Sequence, residues 1–127
     1  MVLLTLYHGN QDVNALENIV ENGFDLSKIG SSWGTTYGDG IYFTDNIQVA
    51  HDVYSGKNGY IVEVKIEAKT YKLDRDYSVN HKKKIKKIIS DIIHTRHYHM
   101  IITSSIEPEY VLFDIDCIVS LKLLEIS

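Results

Sequence analysis

Hydrophobic and polar positions follow two different periods along this chain, and each period predicts a different kind of element. Residues 60–68 alternate strictly, with charged residues at every second position from Glu63 to Glu67 and apolar residues between them. This alternation is typical of a strand with one buried face. Apolar residues three and four positions apart predict two helices instead. One is capped by Asp12 and ends near Asn22, with Gly23 as its C-terminal stop, and the other covers residues 80–94.

Short apolar runs bounded by turn residues predict the remaining strands. These strands are residues 2–7, 41–44, 100–103, 110–114 and 118–126, and a short helix is predicted over residues 46–54. Gly, Ser and Thr are frequent in residues 26–37, which predicts a loop that contains Trp33. Because helices are concentrated early in the chain and strands late, we expect an α+β domain with a mostly antiparallel sheet.

The composition fits one globular domain spanning residues 1–127. The net charge of −4 does not indicate a nucleic-acid-binding protein, and the single cysteine, Cys117, cannot form an internal disulfide. The start of the chain lacks the basic segment and cleavage site of a signal peptide, and no apolar stretch is long enough to cross a membrane. We therefore expect a cytoplasmic protein without membrane contacts, although delivery into another cell would be compatible with this sequence.

Three polar residues occupy similar places at the ends of predicted strands. His8 follows the first strand and precedes Gly9. Tyr42 lies near the start of the second strand, behind Gly40, and Glu109 precedes another apolar run. Each residue alone is more commonly structural, but a sheet can aim three such side chains into one cleft.

The sequence around these residues resembles the ADP-ribosyltransferases, in the branch of poly(ADP-ribose) polymerase and diphtheria toxin that carries a His-Tyr-Glu triad. The matching stretches are LYHG at residues 6–9, GDGIYF at residues 38–43 and EYVLFD at residues 109–114, in the family's order. The resemblance spans residues 4–126. It implies the ADP-ribosyltransferase fold, with a split, mostly antiparallel sheet and short flanking helices. It also implies NAD as substrate and no metal.

Enzymes of this family cleave the bond between nicotinamide and ribose in NAD, and the sugar becomes oxocarbenium-like. The resemblance implies that Tyr42 and Tyr54, twelve residues later, form the two walls of a nicotinamide slot. Glu109 would hydrogen-bond a ribose hydroxyl and stabilise the cationic sugar. Gly40 would let the chain turn closely before Tyr42.

The first motif implies further contacts to NAD. His8 would hydrogen-bond a ribose hydroxyl on the adenosine side, and the backbone of Gly9 would hold the nicotinamide amide. Asn10 stands where many relatives carry Ser or Thr, and it can still hydrogen-bond a ribose. Ala50 stands where relatives often carry Ser, so one hydroxyl contact to the nicotinamide amide is missing and NAD would bind more weakly.

These residues predict a minimal NAD-dependent mono-ADP-ribosyltransferase with an unidentified protein or nucleic-acid acceptor. Transfer of a single unit is favoured because so small a domain leaves little room to hold a growing polymer. Free-standing domains of this size in the superfamily are often toxins, effectors or phage-conflict proteins. The alternatives are an NAD glycohydrolase, with water as acceptor, and an inactive module that binds NAD or ADP-ribose.

Three further patterns have simpler explanations. Glu107 completes the Glu-x-Glu of the arginine-modifying branch by chance, although it could select a basic acceptor if it pointed into the cleft. The basic helix over residues 81–87 is most simply a solvated face, and otherwise a contact for a nucleic acid or an acidic protein. His94, His97 and His99 have a spacing that could bind zinc, but no convincing fourth ligand completes the set.

Overall fold

The computed structural model describes residues 1–25, 37–75 and 82–126, and in the last range it describes side chains from Lys84 onward. The strands are β1 (Val2–His8), β2 (Ile41–Thr44), β3 (Tyr60–Ala68), β4 (Thr70–Lys72), β5 (Met100–Ile102), β6 (Glu109–Leu112) and β7 (Ile118–Glu125). The helices are α1 (Val13–Asn22), α2 (Ile47–Val49) and α3 (Lys82–Ser90). Wider π-helical turns follow α2 at Ala50–Tyr54 and α3 at Asp91–Thr95, and a 3-10 turn spans Ile115–Cys117.

The described strands form one seven-stranded sheet in the order β4-β5-β6-β2-β1-β3-β7. Neighbouring strands run antiparallel, except that β4 and β5 run parallel. Parallel neighbours need a crossover connection, and α3 lies between these two strands in the chain. The expected α+β domain with a mostly antiparallel sheet is therefore confirmed.

The first predicted helix is confirmed as α1, together with the signals at both of its ends. Asp12 is the N-cap, and its side chain accepts a hydrogen bond from the Asn14 amide over 2.9 Å. Gly23 ends the helix with a φ of 81°, and its N–H donates to Ile19 O over 2.8 Å. Because Leu16 and Ile19 are buried, α1 packs on the sheet through its apolar face.

The two faces of the sheet bury separate apolar clusters. The first cluster packs α1 on the middle of the sheet and contains Leu6, Leu16, Phe43, Val62, Val64 and Ile66. The second packs α3 on β5 and β6 and contains Ile85, Ile89, Ile92, Ile101 and Val111. The predicted alternation of β3 is confirmed, because its apolar residues from Val62 to Ala68 are fully buried while Lys65 and Glu67 are exposed.

Some elements differ from the sequence-based expectations. Strand β4 is additional, and the helix expected over residues 46–54 consists of α2 and a π-helical turn. Strand β6 begins at Glu109, one residue earlier than expected. Most of the expected loop over residues 26–37, including Trp33, lies outside the described residues, as does the start of the helix expected over residues 80–94. None of the described helices is long and apolar enough to cross a membrane.

Candidate active site

Tyr42 and Glu109 lie on the same face of the sheet. In the pairing of β2 with β6, Thr44 is opposite Glu109 and Tyr42 is opposite Val111. Opposite residues of antiparallel strands project to the same side, and so do residues two positions apart on one strand. Tyr42 and Glu109 are therefore diagonal neighbours across two adjacent strands.

The hydroxyl group of Tyr42 is fixed by the turn that precedes β2. It accepts a hydrogen bond from the Tyr37 amide over 2.9 Å and donates one to Gly38 O over 3.0 Å. Gly38 has a φ of 102°, which glycine adopts far more readily than other residues. Burial raises the pKa of Tyr42, and the charges of Glu109 and Asp39 raise it further. The ring is therefore neutral, and the two hydrogen bonds of its hydroxyl group fix its position.

The carboxylate of Glu109 is half-buried and has no hydrogen-bond donor among the described residues. The backbone beneath it is held by Thr103. The Glu109 amide donates to Thr103 Oγ1 over 2.8 Å, and the Thr103 amide donates to Glu109 O over 2.9 Å. Burial raises the pKa of the Glu109 carboxyl. A positioned carboxylate with unused acceptor capacity is typical of a site that binds a ligand.

Tyr54 lies within electrostatic reach of Glu109. Burial raises the pKa of Tyr54, and the charge of Glu109 raises it further. Tyr54 ends a π-helical turn in which the Ser55 amide donates to Ala50 O over 2.9 Å. Such turns are frequent at functional sites. Three of the predicted site residues, Tyr42, Tyr54 and Glu109, are therefore brought into one region.

Gly9 brings the end of β1 against this π-helical turn. A Cβ atom on Gly9 would lie 2.4 Å from Ala50 O, 2.7 Å from Ser55 Oγ and 2.8 Å from Tyr54 Cβ. No side chain fits there unless the backbone moves. The absence of a side chain on Gly9 thus places the chain that follows His8 directly beside Tyr54.

Ser55 is a residue of this region that the sequence did not indicate. It is 1% exposed, and its Oγ accepts a hydrogen bond from the Asn10 amide over 3.2 Å. Although Ala50 offers no hydroxyl, Ser55 supplies a buried one beside Gly9. A serine in a turn carries no sequence signal for this role, because its partner lies 45 positions away.

The side chain of Asn10 is already partly used. Its Oδ1 accepts a hydrogen bond from the Asp12 amide over 2.8 Å. Its backbone oxygen accepts another from Asn58 Nδ2 over 2.8 Å. The NH₂ group of Asn10 is thus the part of the side chain for which the described contacts give no partner.

His8 is connected to Tyr42 through a backbone carbonyl. Its Nδ1 donates a hydrogen bond to Tyr42 O over 3.0 Å. The pairing of β1 with β2 is marked by Tyr7 opposite Thr44, immediately before this contact. The imidazole therefore adds a side-chain hydrogen bond between β1 and β2 beside this pair.

The ring of His8 packs on the face of the sheet opposite to Tyr42. It meets Phe24 and Phe43 edge-on, with ring centroids 5.1 and 5.8 Å away. Consecutive residues of a strand face opposite sides, so Phe43 and Tyr42 lie on different faces. Burial lowers the pKa of His8, and the hydrogen bond to Tyr42 opposes this shift in part. The ring is therefore neutral near pH 7.

Two further candidates have surroundings that differ from those expected. A Cβ on Gly40 would lie 2.6 Å from Val111 Cγ1 and 2.8 Å from Leu112 O, so Gly40 permits close packing of β2 on β6. The positive φ in this turn belongs to Gly38. Glu107 is exposed, and its backbone oxygen accepts a hydrogen bond from Ser105 Oγ over 2.9 Å. No described contact links the Glu107 carboxylate to the three clustered residues.

One group of donors in the described part of the chain has the spacing of a metal site. His99, Asp114 and Cys117 each place a donor atom within 4.8 Å of the others, whereas His94 and His97 are not part of this group. The Lys69 amide donates to His99 Nδ1 over 3.0 Å, so the neutral ring carries its proton on Nε2 and has no free lone pair. Burial and the nearby carboxylates raise the pKa of the Cys117 thiol. This donor set does not fit a divalent metal.

Comparisons with known proteins add no family to these observations. No protein-family model matches the sequence, and no curated protein matches it either.

Proposed function

We propose that this chain is an NAD-dependent mono-ADP-ribosyltransferase of the His-Tyr-Glu branch, with an ADP-ribosyltransferase fold. It would break the bond between the nicotinamide nitrogen and ribose C1′ of NAD and transfer ADP-ribose to a protein or a nucleic acid. One observation carries the proposal. The half-buried carboxylate of Glu109 has no hydrogen-bond donor among the described residues, and it lies close enough to Tyr42 and Tyr54 for its charge to raise the pKa of both.

Two tyrosine rings beside a carboxylate suit the nicotinamide end of NAD. The nicotinamide ring of NAD is a flat cation, which an aromatic face attracts by about 0.5–2 kcal/mol. The hydroxyl of Tyr42 is tied to the backbone at Tyr37 and Gly38, so the ring orientation is fixed before a ligand binds. A slot arranged in advance lowers the entropic cost of binding.

Glu109 would act on the charge that develops as the glycosidic bond breaks. The electron pair of the C–N bond goes to the nicotinamide nitrogen, and the positive charge moves to ribose C1′. The Glu109 carboxylate stabilises this charge and accepts a hydrogen bond from a ribose hydroxyl. A nucleophilic atom of the acceptor then bonds to C1′, and its proton passes to Glu109 or to solvent.

The first motif would hold the rest of NAD. His8 donates to Tyr42 O through Nδ1, and its ring packs on the opposite face of the sheet from Tyr42. Nε2 of the neutral ring would therefore accept a hydrogen bond from the ribose on the adenosine side, and not from the sugar beside Glu109. The backbone of Gly9 would bind the nicotinamide amide beside Tyr54. The NH₂ group of Asn10 would reach a ribose oxygen.

Nicotinamide release from NAD tests the proposal. The purified protein is incubated with NAD labelled in its adenylate part, alone and with cell lysate. Nicotinamide is measured by chromatography, and label is followed into macromolecules. Replacing Glu109→Gln keeps the size of the side chain and removes the charge, so we expect release to fall about 10²- to 10³-fold. Glu67→Gln makes the same change at an exposed position of β3 and serves as the matched control.

The products separate the proposed activity from its alternatives. Label that moves onto a macromolecule as nicotinamide is released indicates a transferase. Release without transfer of label indicates an NAD glycohydrolase. No release, with a melting temperature that still rises when NAD is added, would leave a binding module without catalysis.

A further inference from the structure

Positive charge is concentrated in one part of the chain. Residues 69–99 hold nine of the 13 Lys and Arg residues but only three of the 17 Asp and Glu residues. This segment therefore carries a net charge of +6, while the remainder of the chain carries −10. The overall charge of −4 therefore hides a strongly basic segment. Such an uneven distribution of charge is typical of proteins that bind a charged partner.

The lysines of α3 are arranged unfavourably for the helix itself. Five of the six residues from position 82 to 87 are lysines, and the first turn contains no acidic residue. Positive charges near a helix N-terminus oppose the helix dipole, and lysines three or four positions apart repel one another. None of the ion pairs in the described part of the chain involves Lys84, Lys86 or Lys87. The described ion pairs therefore give no reason for the charges of Lys84, Lys86 and Lys87.

Several of the basic residues lie on elements that pack around one apolar cluster. Helix α3 buries Ile85 and Ile89 in the second apolar cluster. Tyr71, in β4, and Tyr98 also pack on that cluster. Five exposed cationic residues lie on or beside the elements that form this cluster, and we call them the basic surface: Lys69, Lys84, Lys86, Lys87 and Arg96. Val111 of the same cluster is opposite Tyr42, so the basic surface lies on the side of the sheet that carries the candidate active site.

Aromatic rings are interleaved with these cations. The guanidinium of Arg96 lies 4.7 Å from the centroid of the Tyr71 ring and 5.4 Å from that of Tyr98. Lys69 Nζ lies 4.4 Å from the Tyr98 centroid. Because Arg96 is exposed, its flat group is presented to solvent from an aromatic support. Cationic and aromatic groups combined in this way suit phosphates and bases of nucleic acids.

A neighbouring cavity distinguishes between the two kinds of acidic partner. It has a volume of about 340 Å³ and is lined partly by Tyr98, His97, His99 and Asp114. The carboxylate of Asp114 can accept hydrogen bonds from the amino groups of a base, and the ionised acidic side chains of a protein offer no such donor. We infer that the basic surface binds nucleic acid, with the lysines of α3 on the phosphodiester backbone. This inference concerns binding and does not depend on the proposed reaction with NAD.

Salt-dependent binding of labelled oligonucleotides tests the inference in the absence of NAD. Fluorescence anisotropy is recorded with single strands and duplexes of about 20 nucleotides, between about 50 and 200 mM salt. Two matched double variants are compared. Lys84→Gln with Lys87→Gln removes two charges from the basic surface, and Lys65→Gln with Lys122→Gln removes two exposed charges from β3 and β7.

We expect the Lys84 and Lys87 variant to lose about 20- to 60-fold in affinity near 0.1 M salt, and the slope of log K against log salt to fall by about 1.4 to 1.8. The Lys65 and Lys122 variant should bind like the unmodified protein. Equal losses of affinity in both variants would show that binding depends only on net charge, and this result would overturn the inference. So would the absence of binding at the lowest salt, or equally tight binding of polyglutamate of matched charge.

Discussion

The imidazole of His8 donates a hydrogen bond from Nδ1 to the main-chain oxygen of Tyr42 over 3.0 Å. A carbonyl oxygen only accepts hydrogen bonds, so this contact fixes the proton of the neutral ring on Nδ1 and leaves a lone pair on Nε2. A single residue thus joins β1 to β2 with one nitrogen and keeps a hydrogen-bond acceptor on the other.

Two substitutions separate these functions of His8. In His8→Asn the side-chain amide can still reach Tyr42 O, but the acceptor at Nε2 is lost. We expect NAD to bind about fivefold more weakly, since one neutral hydrogen bond contributes about 1 kcal/mol. In His8→Gln the amide lies near the position of Nε2 instead. Compared with His8→Asn, this variant should have a lower melting temperature and a smaller loss of affinity for NAD. Calorimetric titration with NAD and thermal unfolding measure both quantities, and unchanged NAD affinity in His8→Asn would contradict this role.

Removing the hydroxyl of Ser55 should loosen the segment around Gly9. The Asn10 amide donates to this buried oxygen, and Ser55→Ala leaves the amide without it. We expect the free energy of unfolding to fall by about 1–3 kcal/mol, and KM for NAD to rise because the segment carries Gly9 and Asn10. Denaturant unfolding measures the first effect. Ser120→Ala, at an exposed position of β7, should change stability by less than about 0.5 kcal/mol.

The raised pKa of Glu109 makes stability and activity depend on pH in opposite directions. Between the usual pKa of a glutamate and its raised value, the folded protein binds a proton that the unfolded chain does not. Stability from this group is therefore present at low pH and lost as pH rises through that window. Nicotinamide release should rise through the same window, because the ionised carboxylate is the active form.

Glu109→Gln should consequently melt at a higher temperature than the unmodified protein near pH 7, although we expect it to release less nicotinamide. The gain should shrink towards about pH 4, where the carboxyl is protonated in both the folded and the unfolded states. Thermal unfolding as a function of pH measures it, with Glu67→Gln as the exposed control. A gain that does not vary with pH would contradict the origin in ionisation.

The ring and the hydroxyl of Tyr42 make separable contributions. Tyr42→Phe keeps the ring and removes the contacts with Tyr37 N and Gly38 O, so we expect a loss of about 1–3 kcal/mol in stability and little change in kcat. Tyr42→Ala also removes the aromatic wall and should lower kcat/KM at least tenfold beyond Tyr42→Phe. Steady-state kinetics on the two variants checks this order, and equal kcat/KM values would exclude the stacking role.

The parts of the fold with a strong local signal were predictable. Alternation defined β3, and the cap at Asp12 with the stop at Gly23 defined α1. Glu109 and Tyr42 were expected at strand ends, and the register of β2 with β6 places them on one face. Strand β4 has no such signal, because three partly polar residues become a strand only when β5 lies beside them.

The parts set by distant contacts were not predictable. Nothing in the sequence around Ser55 indicates the Asn10 amide, which reaches it only after β1 and the π-helical turn pack together. The turn itself replaces part of an expected α-helix, and a change from four-residue to five-residue hydrogen bonding leaves no trace in the spacing of apolar residues. The close packing at Gly9 likewise depends on residues some 40 positions later in the chain.

The separation of charge between residues 69–99 and the rest of the chain has a practical consequence for handling the protein. A pI of about 5.8 would direct a purification to an anion exchanger at neutral pH. Because residues 69–99 carry a net charge of +6, a cation exchanger should also retain the protein at low salt. Retention on both columns would show that the basic segment and the acidic remainder of the chain bind separately, whatever the net charge of the whole protein.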